Sequence, residues 1–209
     1  MKHLFFAALL LGAVTAEAET YTFNPIHYAN NEFAQGVGGQ LSMDVADSAE
    51  GSVSLTFMNT GSFGSEIREI YFYTSNDLDP SARSTLSSII NGPGVNFNDG
   101  GRNGVNPSNL PAGSSLLPDY SVATAVDSRK GIDPGEYLTL TLDYADPHYD
   151  FIDMLHSGQL LVGIHAAKIQ DVSSVSYLNV IPEPTSVLLV GLTASSYVFV
   201  RRRFVRTAA

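Results

Sequence analysis

Two stretches alternate with a period of two and set what this chain can fold into. In Gly51-Ser-Val-Ser-Leu-Thr-Phe-Met-Asn59, Val53, Leu55 and Phe57 fall on one face and Ser52, Ser54 and Thr56 on the other. Glu136-Tyr-Leu-Thr-Leu-Thr-Leu-Asp-Tyr144 repeats the pattern, with Leu138, Leu140 and Leu142 opposed to Thr139 and Thr141. Successive side chains of a strand point to opposite faces, so each run predicts a strand with one buried and one wet face. That is the signature of an antiparallel sheet covered on one side.

Further runs carry the same reading. Ile67 to Thr74 (IREIYFYT) is rich in β-branched and aromatic residues; it predicts Ile70 and Phe72 inside, with Tyr71 and Tyr73 on the opposite side. Gln159 to Lys168 and Ser174 to Val180 predict two more strands, and Tyr21 to Asn24, Gln40 to Ala46 and Val122 to Asp127 are further candidates. Helix signals are few. Asp146 as cap, Pro147 in the first turn and Gly158 as stop predict one helix whose Phe151, Met154 and Leu155 share a face. Ser81 to Ile90 is a second candidate for a short helical turn. From Asn91 to Pro118, Gly, Asn, Pro and Ser dominate, which predicts one long loop. Many short strands between turn residues, with one or two short helices, predict a mainly all-β, jelly-roll-like β-sandwich; a partly open barrel is the runner-up.

Both ends read differently from the middle. Lys2, the apolar run from Leu4 to Ala13 and Ala16-Glu17-Ala18 make a secretory signal peptide over residues 1–18, with cleavage after Ala16 as the competing choice. At the other end come Pro182, Glu183 and Pro184, an apolar run from Thr185 to Val200, then Arg201, Arg202, Arg203 and Arg206. The prolines oppose helix formation. The apolar run can lie in hydrocarbon as a C-terminal transmembrane helix, and the arginines hold its end on the cytoplasmic side. The run has 16 residues, or 19 counted from Pro182, against the roughly 20 of an ordinary span. The expected divisions are therefore 1–18, a β-sandwich domain over 19–178, and a tail over 179–209.

That domain is of a size to form a core unaided. With no cysteine in the chain, it has neither a disulfide framework nor a thiolate nucleophile. Of the 21 acidic and 11 basic residues, Glu17, Glu183, Lys2 and the four terminal arginines lie outside the domain. This leaves 19 acids against 6 bases, a net charge of −13. Such a surface repels nucleic acid and anionic polysaccharide, so no nucleic-acid partner is expected.

The order Pro-Glu-Pro, hydrophobic segment, arginine cluster resembles the PEP-CTERM sorting signal of exported proteins in exopolysaccharide-producing Gram-negative bacteria. The resemblance covers roughly the last thirty of 209 residues. It implies that an exosortase-like membrane enzyme recognises and cleaves the tail near Pro182-Glu183-Pro184, after passage through the secretion machinery and signal peptidase. It also implies an inner-membrane intermediate on the way to the cell surface or extracellular matrix. A tail anchor that merely contains the triplet is the alternative. Within the domain, SEIREIYFYTS, GVNF, NLPAG and VGIHAAKIQDVSSVSYLN are similar to a recurrent ectodomain of the same proteins, which implies no known activity.

Chemistry is sparsely signalled. There is no G-x-S-x-G elbow and no H-E-x-x-H spacing. His148 and His156 flank the expected helix and could share a face with Asp150 or Asp153; His165, in an apolar strand, reads as a core histidine bonded to backbone. No cofactor is implied, but Asp77, Asp79 and Asp99, together with Asp143, Asp146, Asp150 and Asp153, are carboxylates of the kind calcium takes, without the register of a calcium loop. Tyr71, Tyr73, Tyr120, Tyr144 and Tyr149 are candidate sugar platforms in a chain without tryptophan. The expectation is a non-enzymatic exported protein with a structural or adhesive role in exopolysaccharide or biofilm. A carbohydrate-binding module, calcium-assisted or not, is the alternative, and a hydrolase with two facing carboxylates is the third reading.

Overall fold

The computed structural model describes residues 19–28, 30–49, 51–74, 84–99, 120–124, 130–144 and 150–180. The N-terminal 1–18 and the tail from Ile181 onward, with the Pro-Glu-Pro triplet and the arginines, lie outside them. So do Asp77, Asp79, Asp146, Pro147, His148 and Tyr149. No helix among the described residues is long and apolar enough to cross a membrane.

Among the described residues, ten strands form one antiparallel sheet. They are β1 (Glu19–Pro25), β2 (Leu41–Ala49), β3 (Ser52–Asn59), β4 (Glu66–Thr74), β5 (Ser84–Asn91), β6 (Phe97–Asp99), β7 (Tyr120–Thr124), β8 (Tyr137–Tyr144), β9 (Leu160–Ile169) and β10 (Ser173–Asn179). Their order is β5-β8-β3-β2-β1-β10-β9-β4-β7-β6. Two short helices, α1 (Glu32–Gly38) and α2 (Phe151–Ser157), complete the described structure. The fold is thus mostly β, a curled antiparallel sheet.

The curl is visible in how the two halves meet. Val53, Leu55 and Phe57 of β3 and Leu138, Leu140 and Leu142 of β8 are fully buried, and they join Ile70 and Phe72 of β4 and Val162 and Ile164 of β9 in one hydrophobic cluster. The strands at opposite ends of the order also touch: the Asn91 side chain donates to the Phe97 carbonyl (3.2 Å) and accepts from the Phe97 N–H (2.7 Å). A further bridge, Ile67 with Ile132, ties β4 to the segment leading into β8. Register shifts in β2, β4, β5 and β10 supply bulges, which locally tighten twist and help a sheet to bend. Outside, the first half presents hydroxyls paired across strands, Thr56 with Thr139 and Ser88 with Thr141.

Four sequence expectations are corrected. Ser81 to Ile90 holds no helix in its described part: 84–91 is strand β5, whose register shifts between Leu86 and Ser88. That bulge spaces the core-facing Leu86 and Ile89 three apart, which imitates a helical period. The stretch after Asn91 is not all loop, since β6 lies within it. The second helix starts later than expected: Asp150, not Asp146, is its cap, accepting from the N–H groups of Ile152 and Asp153. Its end at Gly158, in the left-handed region, and its buried Phe151, Met154 and Leu155 agree with the sequence. Finally, α1 was not expected. Asn31 caps it by accepting from Ala34 N–H, and it buries Ala34, Val37 and Gly38 against the β1 and β9 side.

Candidate functional site

Strand directions sort the molecule into two ends. β1 starts, and the antiparallel β10 finishes, at one end, where Val180 N–H donates to the Thr22 carbonyl (2.8 Å). There His156 of α2 lies 2.7 Å from Glu19, and Glu19 also accepts from the Tyr21 hydroxyl (3.0 Å). Burial and then the Glu19 hydrogen bond push the Tyr21 phenol well above its ordinary pKa. At the opposite end sit α1, the 60–65 connection, the β9–β10 turn and the 130–136 approach to β8.

This far end is built on buried polar side chains. Gln40, Asn59, Ser65 and Glu66 are all at most 6 % exposed. Gln40 Nε2 donates to Asn59 Oδ1 (2.8 Å), Ser65 Oγ (2.9 Å) and the Phe63 carbonyl (2.9 Å), while its Oε1 accepts from Phe63 N–H (3.0 Å). Asn59 Nδ2 donates in turn to Ser65 Oγ (3.1 Å) and the Ile132 carbonyl (3.2 Å). A buried amide without partners is costly, so a fully bonded set of this kind rigidifies what it touches. What it touches is the junction between the two half-sheets.

Glu66 completes the clasp. Its Oε1 accepts from Gly131 N–H (3.0 Å), and its Oε2 meets Arg68 Nε (2.7 Å) and Lys168 Nζ (3.4 Å). Desolvation pulls the carboxyl upward, but the Gly131 N–H, the Arg68 bond and charge, and the Lys168 charge outweigh it, so its pKa lies below the usual glutamate value. Lys168 also reaches Asp133 (3.3 Å).

Beside the clasp runs an open groove of about 470 Å³, between Phe33 and Val37 of α1, Phe63 and Gly64, and Lys168, Ile169, Gln170 and Ser173 at the β9–β10 turn. Phe63 is 42 % exposed and meets Phe33 edge-on, with ring centroids 6.4 Å apart. Lys168, Asp171 and Ser173 all have left-handed backbone angles, φ 61°, 69° and 61°. For residues other than glycine each such angle costs on the order of 1 kcal/mol, sustained only where neighbours impose it.

The residues singled out in the sequence fare variously. Tyr71 and Tyr73 do lie opposite Ile70 and Phe72, but each is only 1 % exposed; they stack on one another beside Ile26, Leu161 and Leu178 and offer no platform. Tyr71 also donates its hydroxyl to Glu69. His165 is half-buried and faces Ser176 Oγ (3.4 Å) rather than a backbone carbonyl; burial, then Arg68, lower its pKa. Asp99 lies exposed at the end of β6, and Asp143, Asp150 and Asp153 are also exposed, Asp150 as a helix cap. Among the described residues no three His, Asp or Glu groups gather as they would round a metal ion. Sequence reasoning missed the far end entirely. The one signal for it in the sequence is Phe63, a lone phenylalanine within TGSFGS, a run otherwise made of turn residues. Against protein-family profiles, curated proteins and solved structures, the chain gives no match.

Proposed function

We propose that the chain is an exported, non-enzymatic protein sorted through a PEP-CTERM signal, with a structural or adhesive role in an extracellular polysaccharide matrix. The observation that carries this reading is the order of the tail: Pro182-Glu183-Pro184, the apolar run from Thr185 to Val200, then Arg201, Arg202, Arg203 and Arg206. In it the protein is the substrate. The triplet offers extended backbone to an exosortase-like membrane enzyme, and the arginines set the depth at which it is offered. The signal peptide is removed at Ala18, and the curled sheet serves as a sandwich-like ectodomain over 19–178.

Chain geometry is compatible with such handling. β1 begins at Glu19, directly after the signal-peptide site, and β10 ends at Asn179, three residues before Pro182. The paired strands send both flanks from the same end, so a membrane-held tail would turn the groove end outward. Glu183→Ala, or loss of the four arginines, is expected to leave an unprocessed membrane form on an immunoblot. Intact mass of the wild-type product should place one cut at Ala18 and one near the triplet. Unchanged processing of both variants would sink the proposal.

A further inference from the structure

We infer that the groove between α1 and the β9–β10 turn binds a neutral saccharide, with Phe63 as the ring on which a sugar stacks. Phenylalanine is ordinarily buried; here one is 42 % exposed while three buried polar side chains fix its position. The Gln40 amide clamps the Phe63 peptide from both sides, accepting from its N–H and donating to its carbonyl, and Asn59 and Ser65 hold Gln40 in turn. Phe33 sets the ring from its edge. Gly36 lets the ring lie against α1, since a Cβ there would come within 2.7 Å of it. The ring is therefore immobilised before any ligand arrives, which removes an ordering cost from binding.

The surroundings select the ligand. At about 470 Å³ the groove falls in the range of small-ligand sites, roughly 300–1,000 Å³. It is open, so an alkyl chain lying in it would stay half in water and gain little from burial. A sugar ring has one apolar face for Phe63 and a rim of hydroxyls for Lys168, Gln170 and Ser173. Among the described residues no acid lines the groove, and the one cation among them, Lys168, is already met by Glu66 and Asp133. Glu32 on α1 and Asp171 in the turn flank it, in a domain of net charge −13, so polyanions are repelled. That argues for an uncharged glycan and against a uronate.

This inference extends the adhesive half of the proposal above, and its test does not depend on sorting. The full chain is titrated with cellohexaose, maltohexaose and mannohexaose, with hexagalacturonate as the acidic arm, by calorimetry or ligand-observed NMR. At least one neutral hexasaccharide should bind. Phe63→Ala should weaken it by about tenfold or more, as truncation of a stacking anchor does. Phe63→Tyr should restore binding, and Tyr28→Ala, an exposed aromatic outside the groove, should leave it unchanged. Thermal melting of each variant shows whether the fold is kept, and Gln170→Ala, in the groove but outside the Glu66 clasp, provides a second variant, expected to weaken binding, if Phe63→Ala melts early. Binding of hexagalacturonate alone, silence towards all three neutral sugars, or equal affinity in wild type and a folded Phe63→Ala overturns the inference. Normal tail processing alongside such a failure would leave the sorting proposal standing.

Discussion

Asn59→Leu is expected to lower the unfolding free energy by about 2–4 kcal/mol, because it removes three buried hydrogen bonds at about 0.5–1.5 kcal/mol each. The replacement keeps the branching at Cγ and loses the amide. Gln40 Nε2 then lacks its 2.8 Å acceptor, and Ser65 Oγ and the Ile132 carbonyl each lose a donor, with no water to stand in at a position of 0 % exposure. The damage falls where β3, the β4 approach and the 130–136 segment meet, so both half-sheets are affected. Urea denaturation of wild type, Asn59→Leu, Gln40→Leu and the double variant would check this. The double variant should lose less than the two single losses combined, since both residues serve one network. A loss within the ±0.5 kcal/mol of ordinary surface substitutions would show that the network does not hold the halves together.

Glu66→Gln is the second large effect, expected at about 2–3 kcal/mol at neutral pH; breaking a buried ion pair costs more, but Arg68 and Lys168 are partly exposed and can turn to water. The variant can still accept from Gly131 N–H, so the lost part is the charge. Its pH dependence has a definite sign. The folded carboxyl titrates below the unfolded one, so the unfolded chain binds the extra proton first. The stabilisation is therefore fully present above the unfolded glutamate value of about 4.3 and is lost as pH falls through the lower folded value. Denaturation midpoints of wild type and Glu66→Gln, measured between pH 7 and 3, should converge towards the acid end. A gap that stays constant over that range would mean that the ionised Glu66 does not stabilise the fold.

The half-buried His165 adds a smaller slope higher up. Its lowered pKa means that stability begins to fall as pH drops below the unfolded histidine value of about 6.5. The two groups act in different windows and are separable.

Legibility in the sequence followed physical range. Where a side chain's fate depends on its immediate neighbours, as in the alternation of β3 and β8, the expected inward residues are the ones with no exposure. The β5 error has the same root: a bulge is a pairing event with β8, and nothing local to Thr85-Leu-Ser-Ser-Ile distinguishes a reset strand from a helical turn. Alternation puts Tyr71 and Tyr73 on the correct face but is silent on Ile26, Leu161 and Leu178 over them, because it says which side a residue points to and not what covers it. The cap of α2 slipped from Asp146 to Asp150 because several aspartates in one stretch offer the same chemistry.

By itself, then, the order of residues determined the strand-rich character of this protein, the inward face of its two most regular strands, its acidity and the composition of its two flanks, all of which follow from spacing and charge along the chain. Only the tertiary structure decided that Gln40, Asn59, Ser65 and Glu66 converge, that the sheet curls until β5 meets β6 through Asn91, and that Phe63 is held outward beside a groove. Those contacts join residues up to tens of positions apart. They exist because burial forces each polar group to find a partner wherever the folded chain brings one within reach.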